Sequence, residues 1–197
     1  MTTVYIVQSG QTTWQREARI ETAEGGPLTP EGVEQARQVA RELSGRRLAA
    51  VYTPASEPEQ QTAKLLAGGL QLRVRTRKHL REFDYGLWQG LLHDEIRRRQ
   101  PKVFRRWRRD PGSVRPPGGE TLLEAQQRIE KVLREIGRRH RHAAPIVVLR
   151  PMATSLVRCL LSREGIEEFW TRVDRDFRYE GFGLAPDDSA RVRTAGS

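Results

Sequence analysis

Cysteine is almost missing from this chain, lysine is scarce, and no apolar run approaches the roughly 20 residues that a bilayer-spanning helix needs. Each scarcity excludes something. The single cysteine, Cys159, rules out an internal disulfide, and its flanks Leu156-Val157 and Leu160-Leu161 mark it as a small core residue rather than a nucleophile. Residue 1 is not followed by a basic segment and an apolar core, so the sequence is read without a signal peptide and as cytoplasmic, with no membrane association. Of 35 basic residues only four are lysines (Lys64, Lys78, Lys102 and Lys131), which leaves 31 arginines. A formal charge of +10 brings nucleic acid to mind. However, the arginines are spread along the chain and mixed with glutamate, as a GC-rich genome would give without selection for binding. Net charge alone speaks to solubility and non-specific association. Nucleic acid is therefore not the expected partner.

What is present is a globular pattern. Hydrophobic residues make up 37% of the 197 and charged residues 30%. Short, fully apolar runs such as Val4-Tyr5-Ile6-Val7 and Ile146-Val147-Val148-Leu149 argue against wholesale disorder. Residues 3–7, 48–52, about 72–75 and 145–149 read as strands. Thr29-Pro30-Glu31 opens a helix, with Thr29 as N-cap, Pro30 in the first turn and Gly32 tolerated early; Val33, Ala36, Val39, Ala40 and Leu43 recur at helical spacing before Gly45. Further helices are expected near 59–66, over 120–140 and over 153–161. Two short arginine-rich helices broken at Pro101 fall within 92–109, ahead of a Pro/Gly loop over 111–119. The tail holds β-prone pieces at 177–182 and 190–193.

Strands alternating with helices predict a three-layer α/β/α sandwich on a mostly parallel sheet, in one domain spanning 1–197 with a helical insert near 92–118. The runs Val4–Val7 and Ile146–Leu149 should lie side by side at its centre. In such sheets the functional crevice lies beyond the carboxyl ends of the strands. That places any site in the segments 8–15, 53–59 and 150–154.

Those segments carry a resemblance. Gln8-Ser9-Gly10-Gln11-Thr12-Thr13-Trp14 after the first strand is similar to the opening loop of histidine phosphatases of the phosphoglycerate mutase-like type, which reads Arg-His-Gly-Gln-Thr-x-Trp. Leu28 to Ala36, Gln61-Thr62-Ala63, Leu80 to Gly90 and Pro117-Gly118-Gly119-Glu120-Thr121 resemble further family segments in the same order. The resemblance implies a site in which one histidine attacks phosphorus, a second histidine and two arginines hold the phosphoryl oxygens, and a carboxylic acid protonates the leaving group. Aligned on these motifs, the first arginine is replaced by Gln8, the nucleophile by Ser9, the second arginine by Pro58 and the second histidine by Arg150. The acid alone is kept, as Glu82.

A serine hydroxyl needs a base to activate it, and Pro58 offers no side-chain donor. His79, His93, His140 and His142 fall away from the motif positions and are read as surface or packing residues. Glu82 and Arg150 are expected to face one cavity and to pair there, because burying either charge alone is costly. Arg150, with Gln11 and Thr12 in the first loop, is the candidate for holding an anion. Within the insert, Phe104 and Trp107 should pack inward beneath a solvated arginine face. Neither a metal nor a cofactor is expected. The leading functional reading is a pseudophosphatase that acts by binding a protein or a phosphorylated small molecule, or by assembly, with a homodimer in view. The alternatives are a weak or altered phosphatase or phosphomutase on a phosphorylated small molecule, and a basic nucleic-acid-binding protein.

Overall fold

A computed structural model describes residues 2–162, 164–173 and 178–184. The β-prone piece at 190–193 lies outside the described residues, as does the start of the one at 177–182. In chain order the elements are β1 (Thr2–Gln8), α1 (Thr13–Arg16), α2 (Pro30–Leu43), β2 (Leu48–Thr53), α3 (Glu57–Leu70), β3 (Val74–Thr76), α4 (His93–Arg99), α5 (Pro101–Arg109), α6 (Leu122–Arg139), β4 (Ala144–Leu149), α7 (Pro151–Leu161), α8 (Phe169–Val173) and β5 (Tyr179–Leu184). The strands form one sheet in the order β3-β2-β4-β1-β5. Pairing is parallel except for β5, which runs antiparallel to β1 at the edge. The two apolar runs are neighbours, with Tyr5 opposite Ile146 and Val7 opposite Val148.

Alternation along the central strands divides the core. Ile6, Tyr52, Val147 and Leu149 face α6 and α7, meeting Ile129, Val132, Leu133 and Val157. Val7, Val51, Ile146 and Val148 face α2 and α3, meeting Val39, Leu43, Ala63 and Leu66. A third cluster sits under α4 and α5. There Trp107 packs on Trp88, Tyr85 and Trp170, with ring centroids 4.9 to 5.9 Å apart. Trp107 is buried and Phe104 half-buried, while Lys102, Arg105, Arg106 and Arg109 point outward.

Several boundaries differ from the sequence reading for local reasons. α3 begins at Glu57, because Pro58 fits the first turn and Ser56 stands at the N-cap in extended backbone. Its end at Gln71 is left-handed (φ 55°), and Leu72 still donates to Ala67 O, which delays β3 to Val74. α6 starts at Leu122 because Thr121 and Glu124 form a reciprocal cap. Gly32 is required rather than merely tolerated. A Cβ there would lie 2.2 Å from Gln11 O, and one on Gly10 would lie 2.1 Å from Gly32 O. The first loop and the first turn of α2 therefore meet backbone to backbone.

Candidate functional site

The carboxyl ends of β1, β2 and β4 converge as the sheet pattern requires. β1 delivers Gln8 and Ser9, the turn after β2 delivers Pro58 and Glu59 on the first turn of α3, and β4 delivers Arg150 as the N-cap of α7. Ser9 N donates to Leu149 O at 2.8 Å, tying the first loop to β4. Gly10 N donates to Thr62 Oγ1 at 3.1 Å, and that hydroxyl donates to Pro58 O at 2.8 Å, tying it to α3. Glu82 arrives on the segment before the 86–88 turn. Arg128 holds that segment, donating to the carbonyls of His79, Arg81 and Glu82 at 2.7 to 2.9 Å and to the Glu120 carboxylate.

Arg150 fills the middle of this space, with 1% of its surface exposed. Its Nε donates to Glu59 Oε1 at 3.0 Å. Its Nη1 donates to Glu21 Oε2 at 3.1 Å and to Thr22 O at 2.9 Å, and its Nη2 to Ala23 O at 3.2 Å. The last three acceptors belong to residues 21–23, a strap laid across the carboxyl ends of the strands. Thr12, the N-cap of α1, secures the strap by donating its hydroxyl to Glu21, and Glu57 N donates to Glu24 O at 2.9 Å. The surrounding carboxylates hold the guanidinium pKa above its ordinary value against its burial.

Glu82 does not pair directly with Arg150, contrary to expectation. Its carboxylate caps α7 instead, accepting from Met152 N at 3.1 Å and Ala153 N at 2.8 Å, and from Phe83 N at 2.7 Å. The N-terminus of a helix offers unsatisfied amides and a positive dipole end, which suit a carboxylate. That partner releases Arg150 to the two glutamates that the sequence reading missed. Glu59 and Glu82 are both buried carboxyls near this guanidinium, and burial disfavours their charged forms. Burial pushes Glu82 up to about 7, Arg150 opposing. Glu59 is raised for the same reason, again opposed by Arg150.

The other candidate residues are engaged or silent. Ser9 Oγ is buried with no hydrogen-bond partner among the described residues. His79, His93 and His142 are exposed, His140 bonds to the Tyr52 hydroxyl at 2.7 Å, and none of the four is hydrogen-bonded to Ser9 Oγ. Pro58 is buried against the strap: a Cβ added to Gly25, whose φ is +75°, would lie 2.5 Å from its Cδ. The amide of Gln11 donates to Gln35 Oε1 at 3.0 Å and that of Thr12 to Gln15 Oε1 at 3.1 Å, so both are already satisfied within the chain. No group of His, Cys, Asp and Glu able to hold a metal occurs among the described residues.

Glu21 sits in a stretch without periodicity, and Glu59 resembles any helix glutamate. The signal available was Arg150 itself, because a buried guanidinium needs carboxylates and Glu82 alone left it short of acceptors.

An α/β/α sandwich on this five-stranded sheet, with its candidate site at the carboxyl ends of the strands, defines a phosphoglycerate mutase-like protein. The chain belongs to the histidine phosphatase superfamily (branch 1), whose model matches residues 4–175. It is 28% identical over 171 residues to phosphoserine phosphatase 1 of Hydrogenobacter thermophilus, covering 87% of this chain and 81% of the relative. It is 28% identical over 162 residues to a probable phosphoglycerate mutase, GpmB, of Yersinia pestis, covering 82% and 74%. Among solved structures, YhfR of Bacillus stearothermophilus superposes with a TM-score of 0.82 at 29% identity, covering 87% of this chain and 85% of that one. Among the described residues no helix is long and apolar enough to cross a membrane.

Proposed function

We propose that this chain is a pseudophosphatase, a cytoplasmic member of its family that performs no phosphoryl transfer and works by binding or assembly. One observation carries the reading. The one guanidinium of the site and the amides at the start of α7, which could hold a phosphoryl oxygen, are already engaged by carboxylates or carbonyls of the chain: Arg150 by Glu21, Glu59 and the strap, and the amides by Glu82. Preorganised donors stabilise a transition state only when aimed at the charge that develops there. Here they are aimed at internal acceptors. No base is hydrogen-bonded to Ser9 Oγ, and without a nucleophile Glu82 has no leaving group to protonate. Qualitatively, the partner is a protein or a phosphorylated small molecule, or a second copy of the chain.

The test is hydrolysis of p-nitrophenyl phosphate by the full chain beside its Glu82→Ala variant. Equal, background rates and no trapped phosphoenzyme are expected. Turnover lost with Glu82→Ala, or a phosphorylated protein, would overturn the reading. A second reading draws on the relatives, whose names are phosphatase and phosphoglycerate mutase, and which by themselves favour it over the first. In it the chain is a weak or altered phosphatase or phosphomutase acting on a phosphorylated small molecule. Glu82 near 7 has the acidity that a general acid needs at neutral pH.

A further inference from the structure

Away from the carboxyl-end site, cations gather without acids. β3 is an edge strand, and Arg73, Arg75 and Arg77 alternate along its line, so their side chains share one face of the sheet. Tyr52, opposite Arg75 on β2, lies on the same face. Arg77 places its guanidinium carbon 5.4 Å from the centre of the Tyr52 ring. The Tyr52 hydroxyl meets His140 Nε2 at 2.7 Å at the end of α6, where Arg138, Arg139 and Arg141 surround that imidazole in the chain. Among the described residues none of these six arginines has a carboxylate at ion-pair distance. Glu135, one turn before Arg139, is exposed and pairs with none of them. Earlier in α6, by contrast, Arg128 and Arg134 are both paired. Arg75 Nε is buried with no hydrogen-bond partner.

We propose that this edge, built on Arg75, Arg77, Arg139 and His140 around Tyr52, binds a small anion carrying two or more phosphate groups. Arginine is suited to such groups because its planar fork donates two parallel bonds to phosphate oxygens. The cluster is compact. Arg75 and Arg139 both lie close enough to His140 to hold its pKa below the ordinary value, after burial, the larger cause. One side-chain pair, Tyr52 with His140, thus links three guanidinium groups, which matches a compact polyanion better than an extended track along nucleic acid. The site is independent of the closed carboxyl-end pocket, so it stands or falls apart from the pseudophosphatase reading.

The experiment titrates the full chain with inorganic tripolyphosphate, following heat and the His140 imidazole resonances. Saturable binding is expected. Arg75→Gln and Arg139→Gln should each weaken it about tenfold, as loss of a charge-assisted phosphate contact does. Lys102→Gln with Arg105→Gln, on the outer face of α5, should leave it unchanged. Bound anion favours the protonated imidazole, so the His140 pKa should rise on saturation, and binding should strengthen as pH falls through its range. That last measurement uses the unaltered chain and needs no variant to fold. Equal weakening by the α5 pair, an unmoved His140, or affinity that appears only with single-stranded oligonucleotides and grows with their length would each overturn the proposal.

Discussion

Arg150 and Glu59, 91 residues apart in the chain, meet through a 3.0 Å bond between Nε and Oε1 in a place where neither side chain exposes more than 1% of its surface. Truncating one partner leaves the other charge buried without compensation. Arg150→Ala should therefore destabilise the fold by about 3–5 kcal/mol. Chemical denaturation measures this, and adding Glu59→Gln should recover part of the loss. Strict additivity of the two substitutions would show that the pair is not coupled.

Glu82 gives a pH signature. Its carboxyl is raised from 4.5 to about 7 in the folded chain. The folded state therefore binds a proton more readily than the unfolded one between those values. The associated stability is fully present below about pH 4.5 and is lost as pH rises through about 7, a change on the order of 3 kcal/mol. Unfolding free energies across that window should fall less steeply in Glu82→Gln than in the unaltered chain. Parallel profiles would place the titration elsewhere.

Gly32→Ala should cost at least about 2 kcal/mol, since its new methyl group would overlap the Gln11 backbone rather than a flexible side chain. A thermal melt that stays within a degree or two of the original would mean the first loop can back away.

Restoring single family residues should fail. Ser9→His alone would place an imidazole in a closed space still held by Arg150 and the strap, so no phosphoenzyme is expected. On the proposed alignment only Gln8→Arg, Ser9→His, Pro58→Arg and Arg150→His together supply the family's groups, because catalytic residues that act as a unit are not additive. Retention of phosphorus label on the protein, measured for each variant, decides this. Robust labelling of Ser9→His would mean the site is far less closed than its contacts indicate.

Cys159 should resist alkylation in the native state. It is buried, and burial pushes its thiol up to about 11, so little thiolate forms at neutral pH. Reaction with a thiol reagent at the rate of a free peptide cysteine would contradict this placement.

The legible parts of the fold were those with local signatures. Val4–Val7 and Ile146–Leu149 announce buried parallel strands by unbroken apolarity, and Thr29-Pro30 and Thr121 announce helix starts by cap chemistry. Glu82 and Arg150 were found from the motifs around them. Their partners were not, because pairing across 91 or 129 positions leaves no periodic trace. The pairing expected between Glu82 and Arg150 counted only charges. It omitted the amides at the start of α7, which compete for a carboxylate through geometry that composition does not record.

The strap also bears on history. Gly25 turns with a left-handed backbone against Pro58 and beside Arg150, with Nη1 of the arginine 3.2 Å from where a side chain would begin. The strap lies down only over a short residue at 58 and gains its three acceptor bonds only from a long one at 150. On the proposed alignment, either residue could be exchanged alone for the family's only by expelling the strap or leaving Glu21 and Glu59 buried without their cation. On the pseudophosphatase reading such interlocked changes would work as a ratchet: the path back would run through poorly folded intermediates, and folding would hold a lineage there even with no selection on its chemistry.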